Sequence, residues 1–318
     1  MISRIAVRLT SLMIAATIGL QIGLHSRLML ARWLLLVLLL VALLAGVSTL
    51  LGLICLVVAA SFAIGSINAS PRPPQLRIGA VQTVILWLRE VVVAWSILLF
   101  LMPVERWLMR RDIPGTRLDL PPVLLIHGYV NNAGALFILW RAIKSAGLGV
   151  HTVNLEPVYA DIDAYAALIE ARLAQIQQAV GGRPVTLVCH SMGGLAARAY
   201  LRAHGGARVA RVITLGTPHA GTILAVTAAG ANGRQMRVHS AWLAELARFE
   251  RDAWPCPMVS VFSHDDNVVV PQLSAHLAGA RNLPLAGIGH LSLPMTPAVA
   301  EMVIAELVAA PSSSAPTT

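Results

Sequence analysis

The hydrophobic pattern changes sharply along the chain, from long apolar stretches near the N-terminus to short ones later. No charge occurs between Arg32 and Arg72, and most residues of 33–71 are Leu, Val, Ala, Ile or Gly. A helix rises about 1.5 Å per residue, so roughly 20 residues cross the hydrocarbon core of a bilayer. This stretch is long enough for one span or for a tight two-helix hairpin with its turn near Gly46 or Gly52.

Two weaker apolar segments flank this stretch. The first, Ile5–Leu24, is interrupted by Arg8 and Gln21. A cleaved signal peptide is the alternative to a membrane-anchoring helix here, although no small-x-small cleavage site precedes a polar segment. The second, Val81–Met102, holds Arg89 and Glu90 at its centre. Because charges are costly in the middle of a bilayer, we expect this segment to lie at the interface or to pack on a domain.

From residue 120 to 310, short apolar strands alternate with helical patterns. This alternation predicts an α/β fold, with a mostly parallel sheet covered by helices on both faces and preceded by hydrophobic N-terminal helices. In such sheets, ligands bind at the carboxyl ends of the strands. The predicted strands are Val123–Ile126, Val150–Leu155, Val185–Val188, Val209–Leu215, Met258–Phe262 and Asn282–Leu285, and the predicted helices are Ala133–Ser145, Ala160–Val180, Gly194–Ala203 and Thr296–Ala309.

Composition shifts divide the chain into four parts. Residues 1–70 are predicted to form membrane-anchoring helices, and residues 71–119 a proline-containing linker with an interfacial helix. Residues 120–310 form the α/β domain, and the Ser-, Pro- and Thr-rich residues 311–318 a disordered tail.

Charge favours a membrane partner over nucleic acid. Hydrophobic residues make up 57% and charged residues 12% of the chain, which is too apolar for an ordinary soluble domain. Residues 1–117 carry eleven arginines and three acids, so most of the net charge of +9 lies beside the apolar segments and suits anionic lipid head groups. No basic patch is interleaved with aromatic residues, as nucleic-acid binding would require.

The three cysteines, Cys55, Cys189 and Cys256, are far apart and have neither disulfide nor metal-site spacing. We therefore expect no metal or other cofactor, and this pattern leans towards a reducing compartment. The sequence leaves the oligomeric state open.

Ser191 stands between a predicted strand and a predicted helix. A sharp turn there would expose its hydroxyl, as in a strained nucleophile turn. Gly193 and Gly194 let the strand and helix approach, while Cys189 occupies the position where the usual motif has glycine. A helix N-cap serine is the alternative interpretation.

Other motifs end neighbouring strands. His127-Gly128-Tyr129 follows the first strand, so we assign oxyanion-hole donors to the amides of Tyr129 and Met192 and a structural role to His127. The loop from Leu215 to Thr222 is expected to shape the pocket.

An acid and a base follow the last two strands. Asp266 is the preferred carboxylate, with Asp265 as the alternative, and His290 is the preferred base, with His219 as the alternative. The order Ser, Asp, His along the chain is the order found in α/β-hydrolases.

Taken together, residues 120–305 resemble the lipase/esterase branch of the α/β-hydrolase superfamily, and the helix after Ser191 resembles that of bacterial triacylglycerol lipases. The resemblance implies hydrolysis of a carboxylic ester through an acyl-enzyme. It rests on His127-Gly128, His190-Ser191-Met192-Gly193-Gly194, Thr217-Pro218-His219-Ala220-Gly221, Asp266, Gly289-His290 and the run Gly194–Leu201.

The expected substrate is a lipidic ester reached from a bacterial inner membrane, with the α/β domain on the cytoplasmic side if the chain crosses twice. The positive-inside pattern is nearly balanced, and an odd number of spans would reverse this placement. An acyltransferase, a thioesterase and a catalytically inactive binding module are the alternatives. Residues 219–254 form either a lid or ordinary packing.

Overall fold

The structure is a computed structural model that describes residues 2–110, 112–249 and 254–309. The predicted disordered tail lies outside these residues. The chain divides into two compact units, Met1–Leu53 and Ile54–Thr318. The second is called the α/β unit below, because it contains the whole sheet.

The described residues form helices and strands in the following order. The helices are α1 Ile2–Ile67, α2 Ala80–Trp95, α3 Glu105–Leu108, α4 Phe137–Ser145, α5 Ala164–Ala179, α6 Met192–His204, α7 Gly230–Gln235, α8 Ala241–Phe249 and α9 Pro297–Val308. The strands are β1 Asp112–Ile113, β2 Val123–Ile126, β3 Val150–Val153, β4 Val185–His190, β5 Val209–Leu215, β6 Met258–Ser263 and β7 Arg281–Leu285.

Helix α1 is continuous over 66 residues, so the hairpin considered for residues 33–71 is not formed. Residues 2–67 contain no proline, and a glycine in a helix costs only about 1 kcal/mol relative to alanine. Near the expected turn, the Thr49 hydroxyl donates to the Ala45 carbonyl (2.8 Å), which satisfies it within the helix. Among the residues that the structure describes, two helical segments could cross a membrane by length and composition: Leu12–Ile67 and Ala80–Leu101.

The α/β unit begins at Ile54, well before the predicted boundary at residue 120. Ile54 and Val58 of α1 form a small buried cluster with Val91 and Ala94 of α2. A π-helical turn, Ser96–Leu101, extends α2. The segment predicted as a linker is therefore largely packed structure.

The sheet confirms the predicted fold class. Its order is β1-β3-β2-β4-β5-β6-β7, and only β1 is antiparallel to its neighbour. All six predicted strands are present, with ends that differ by at most two residues. The two-residue edge strand β1 was not predicted, because so short a segment carries no periodic signal.

Each face of the sheet is covered by helices. Along β2, Leu124 and Ile126 join the core beneath α5, α6 and α8, whereas Val123 and Leu125 join the core beneath α4 and α9. This alternation follows from the two-residue period of a strand. The carboxyl ends of the parallel strands thus share one edge, where the predicted site residues lie.

Candidate active site

Ser191 lies at the turn between β4 and α6, with φ 56° and ψ −128°. Such a conformation costs about 1–3 kcal/mol and persists only when the surroundings fix it. Here the Ser191 amide donates to the Leu215 carbonyl (2.9 Å), and the Ser191 carbonyl accepts from the Gly194 amide (3.0 Å) and the Thr217 hydroxyl (2.8 Å). The side chain is therefore held at the sheet edge in a strained turn.

Small residues make this turn possible. A Cβ on Gly128 would lie 2.7 Å from the Cβ of Ser191, and one on Gly193 would lie 2.6 Å from the carbonyl oxygens of Ile126 and His127. Cys189, which replaces the usual glycine, is fully buried in the core beneath α5 and α6. Burial raises the pKa of its thiol, so it packs as a small apolar residue.

The structure brings Ser191, His290 and Asp266 into one hydrogen-bonded chain. The Ser191 hydroxyl lies 2.9 Å from Nε2 of His290, and Nδ1 of His290 lies 2.8 Å from Oδ2 of Asp266. The other carboxylate oxygen of Asp266 accepts from the amides of Val268 and Val269, each at 2.8 Å. Since the carboxylate accepts at Nδ1, it selects the imidazole tautomer that leaves Nε2 free to accept from serine.

Asp265, the alternative acid, has other partners. Its Oδ1 pairs with Nη1 of Arg72 (2.5 Å), and its Oδ2 accepts from the Gly287 amide (2.7 Å). Neighbouring residues of a turn point in different directions, so only Asp266 contacts His290. Asp265 instead joins the segment after α1 to the loop before the histidine.

The electrostatics of His290 follow from this geometry. Burial alone lowers the pKa of His290, but the charge and hydrogen bond of Asp266, together with the charge of Glu90, raise it above its ordinary value. Protonation of His290 is thereby favoured.

His127 bridges two loops. Its Nδ1 donates to the Gly128 carbonyl (2.8 Å), and its Nε2 accepts from the Leu155 amide (2.9 Å). Burial lowers the pKa of His127 to about 4, which keeps the ring neutral, as this donor–acceptor pair needs. These contacts fit the predicted structural role.

His219, the alternative base, has its hydrogen-bond contacts with other residues. Its Nε2 is 3.2 Å from the Thr214 hydroxyl, and its carbonyl accepts from Arg198 (2.9 Å). Burial, and then the positive charge of Arg198, lower the pKa of His219 well below its ordinary value. These contacts hold the loop after β5 in place, and none of them involves the Ser191 hydroxyl.

The backbone around Ser191 offers hydrogen-bond donors. Met192 is the first residue of α6, so its amide belongs to the positive end of that helix. Tyr129 follows Gly128, which lies directly against Ser191. The Tyr129 hydroxyl reaches the Ala229 carbonyl (2.9 Å), which ties this loop to the segment before α7.

The segment considered as a lid contributes to the core. Leu243 and Leu246 of α8 are buried in the core beneath α5 and α6, as ordinary packing would require. The Trp242 indole donates to Asp163 (2.9 Å), the residue directly before α5, which ties α8 to that helix. Residues 250–253 of this segment lie outside the described residues.

Sequence reasoning missed one group of residues near the site. Polar side chains from the segment before the sheet bond to the loops that carry Asp266 and His290: Ser61, Ser70, Arg72, Arg89 and Glu90. The signal was present at Arg89 and Glu90, two charges at the centre of an apolar helix. Which loop they contact could not be derived from the pattern.

The fold defines the class: the α/β unit has the α/β-hydrolase fold, and the relatives it resembles are lipases. Residues 121–237 match the family described as alpha/beta hydrolase fold.

The individual relatives are lipases. Two triacylglycerol lipases, from Pseudarthrobacter phenanthrenivorans and Burkholderia plantarii, are each 34% identical to this chain over 110 residues, or 32% of it. The chain spans only about a third of these relatives, 34% and 30% of their lengths.

Solved structures show the same fold. The mature Bacillus licheniformis lipase BlEst2 matches with a TM-score of 0.55 and 21% identity, covering 61% of this chain and 94% of that one. Aspergillus fumigatus lipase B matches with a TM-score of 0.54 and 19% identity, covering 61% of this chain and 55% of that one.

Proposed function

We propose that this protein is a membrane-anchored serine hydrolase that cleaves carboxylic esters through an acyl-enzyme. The observation that carries the proposal is the contact chain from Ser191 through His290 to Asp266, at 2.9 and 2.8 Å. The strained turn at Ser191 supports it, because such strain is typical of residues held for chemistry. The named relatives, both triacylglycerol lipases, support an ester as substrate.

In the proposed reaction, His290 takes the proton of the Ser191 hydroxyl as Oγ attacks the ester carbonyl. The amides of Tyr129 and Met192 donate to the developing oxyanion. His290 then gives its proton to the departing alcohol oxygen, leaving the acyl group on Ser191. In the second half, a water molecule attacks the acyl carbon and gives its proton to His290. His290 passes this proton to Oγ as the bond between Oγ and the acyl carbon breaks, and the carboxylic acid is released. Asp266 orients the ring and stabilises the imidazolium.

The substrate is proposed to be lipidic, because the chain carries its own apolar anchor. Residues 24–50 are all exposed, and residues 33–53 contain no charge. These 21 residues would span about 31 Å as a helix, close to the thickness of a bilayer core. Residues 54–67 of α1 belong instead to the α/β unit. We therefore assign the membrane span to residues 33–53.

One crossing changes the expected topology. The cytoplasmic placement of the hydrolase depended on two spans, and continuous α1 supplies one. Arg27 and Arg32 stand directly before the span, whereas the first charge after it is Arg72. By the positive-inside rule, the N-terminus would then lie in the cytoplasm and the hydrolase on the opposite side. Alkaline phosphatase fused after residue 75 should be active, and inactive fusions would contradict this orientation.

The hydrolase assignment is tested with full-length protein in detergent, using p-nitrophenyl esters of varied chain length and a fluorophosphonate probe. We expect hydrolysis by the wild type, labelling at Ser191, and a loss of at least about a thousandfold in kcat for Ser191→Ala. The matched control is Ser240→Ala, which removes a serine in the segment before α8. Equal turnover by the wild type and Ser191→Ala would disprove the assignment. Folded wild-type protein that does not react with the probe would favour an inactive binding module.

A further inference from the structure

Glu90 of α2 reaches the loop that carries His290, although it stands 200 residues earlier in the chain. Its Oε1 accepts from the Leu291 amide (2.5 Å), and its Oε2 accepts from the amide (3.1 Å) and hydroxyl (2.5 Å) of Ser292. Its side chain is fully buried. Three donors from the two residues after His290 thus converge on one carboxylate.

Gly289, directly before His290, makes this approach possible. A Cβ at this position would collide with the carboxylate of Glu90. The close approach of Glu90 therefore explains sterically why a glycine stands directly before His290. The carboxylate thus occupies the space that a side chain at position 289 would need.

The neighbouring contacts of α2 and α1 reinforce this docking. Nη2 of Arg89 donates to the Gly287 carbonyl (2.5 Å). Asn267, beside the acid, accepts from the His290 amide (3.0 Å) and donates to the Ser61 hydroxyl of α1 (2.7 Å). Residues 287–292, called the histidine loop here, are thus held by helices that precede the sheet.

The charge of Glu90 is balanced by donors rather than by a cation. No ion pair to Glu90 occurs among the part of the chain that the structure describes. Burial, and to a smaller extent the charge of Asp266, raise the pKa of Glu90 above its ordinary value, whereas the hydrogen bonds from Ser292 and Leu291 and the charge of His290 limit this rise. All three contacting groups donate, which is the environment of an ionised carboxylate.

Few other titratable groups face His290. Asp266 accepts from Nδ1, and the His190 ring lies 4.8 Å away between centroids, with its Nε2 3.1 Å from the His290 carbonyl. Burial, followed by the charge of His290, lowers the pKa of His190 well below its ordinary value, so this ring is neutral. Within residues 2–110, 112–249 and 254–309, the negative charges that act on His290 are those of Asp266 and Glu90.

We propose that Glu90 is a positioning residue of the hydrolase, which fixes the histidine loop so that His290 meets Ser191. Its negative charge also favours the imidazolium that forms during acyl transfer. This inference rests on the proposed function and adds to it: the segment before the sheet supplies a part of the catalytic apparatus. Glu90 acts through the loop and through its field, and it does not contact Ser191 or the substrate.

The test uses full-length protein in detergent and four variants: Glu90→Gln, Glu90→Asp, Ser292→Ala and, as matched control, Glu306→Gln. Glu306 is a second buried glutamate, on α9, where it pairs with Arg281 (3.2 Å). The readouts are kcat and KM for p-nitrophenyl butyrate, the rate of fluorophosphonate labelling at Ser191 from pH 5 to 9, and Tm.

We expect Glu90→Gln to lower kcat about tenfold to a hundredfold with KM little changed, since a misplaced base slows chemistry more than binding. His290 must be neutral to accept a proton, so labelling falls as the pH drops below its pKa. Loss of the Glu90 charge lowers that pKa, so this acid limb moves to lower pH. Glu90→Asp keeps the charge, so the acid limb should stay at the wild-type pH. Its labelling rate should be lower than that of the wild type. Glu306→Gln should lower Tm without changing kcat or the limb.

The outcomes separate the two proposals. Wild type and Glu306→Gln that are folded but unlabelled would disprove the hydrolase assignment itself. Active wild type, with Glu90→Gln indistinguishable from Glu306→Gln in kcat and in the acid limb, would overturn the role of Glu90 alone. If Glu90→Gln does not fold, Ser292→Ala decides, because it removes one donor and keeps the charge. A severalfold slower labelling supports the proposal, and an unchanged rate contradicts it.

Discussion

Two neighbouring regions with the same apolar character differ in what surrounds them. Residues 33–53 are uncharged, and almost all are exposed. Residues 54–101, the docked segment, are nearly as apolar, but they contribute buried side chains to the α/β unit and bond to the loops of Asp266 and His290. The difference comes from a few polar positions, above all Ser61, Arg89 and Glu90. Hydrophobicity alone does not tell an anchor from a part of the site.

The largest effect expected from this comparison comes from two truncations. Removal of residues 1–53 should leave a folded hydrolase with kcat within about twofold of the full-length protein. The reason is that the α/β unit begins at Ile54 and is compact by itself. Removal of residues 1–101 should abolish ester hydrolysis. It takes away Glu90 and Ser61 and exposes the apolar surface that α2 covers. Esterase activity and circular dichroism of both proteins provide the measurement. A fully active shorter protein would mean that the docked segment is only an anchor.

A smaller effect is expected from a matched pair of arginines. Arg89→Met removes the donor to the Gly287 carbonyl, a charged hydrogen bond worth about 1.5–3 kcal/mol. Arg32→Met, in the exposed part of α1, removes the same type of side chain. In detergent, the first substitution should lower the free energy of unfolding and the esterase rate, and the second should change neither. Denaturant unfolding and an esterase assay measure the two quantities. Equal free energies of unfolding and equal esterase rates for the two variants would contradict the distinction between the two regions.

The smallest effect is expected from a matched pair of serines. Ser61→Ala removes the hydroxyl that accepts from Asn267, and a buried donor left without a partner costs about 1–3 kcal/mol. Ser48→Ala lies in the exposed part of the same helix, and we expect no change in stability. The Tm of the two variants, measured in the same detergent, is the readout. A shift in Ser48→Ala as large as that in Ser61→Ala would contradict the division at Leu53.

The sequence predicted the sheet and the three triad candidates because both depend on local signals. Apolar strands bounded by turn residues predict β2 and β5 to the residue. The ends of these strands carry the motifs, so their convergence follows from the parallel topology. Asp266 was preferred to Asp265, but the pattern could not exclude Asp265, since adjacent residues share most features of the pattern and differ in side-chain direction.

The packing of α1 and α2 could not be predicted for a different reason. A helix buried in a protein core and a helix in a bilayer have the same composition, so hydropathy over residues 33–71 predicted no boundary at Leu53. Glu90 was recognised as costly within a membrane, which favoured an interfacial or domain-packed helix over a span at α2. Its partners, however, lie 200 residues away, and no local pattern encodes a contact at that separation.

The contact between Glu90 and Gly289 also constrains how this protein can evolve. Any other residue at position 289 would add an atom where the carboxylate lies, so that glycine is required only while the glutamate is present. A lineage that lost the docked segment would be free to place a larger residue before its histidine. One that kept both the segment and the glutamate could not replace the glycine without displacing the carboxylate. The two sites, far apart in the gene, are thus expected to vary as a pair.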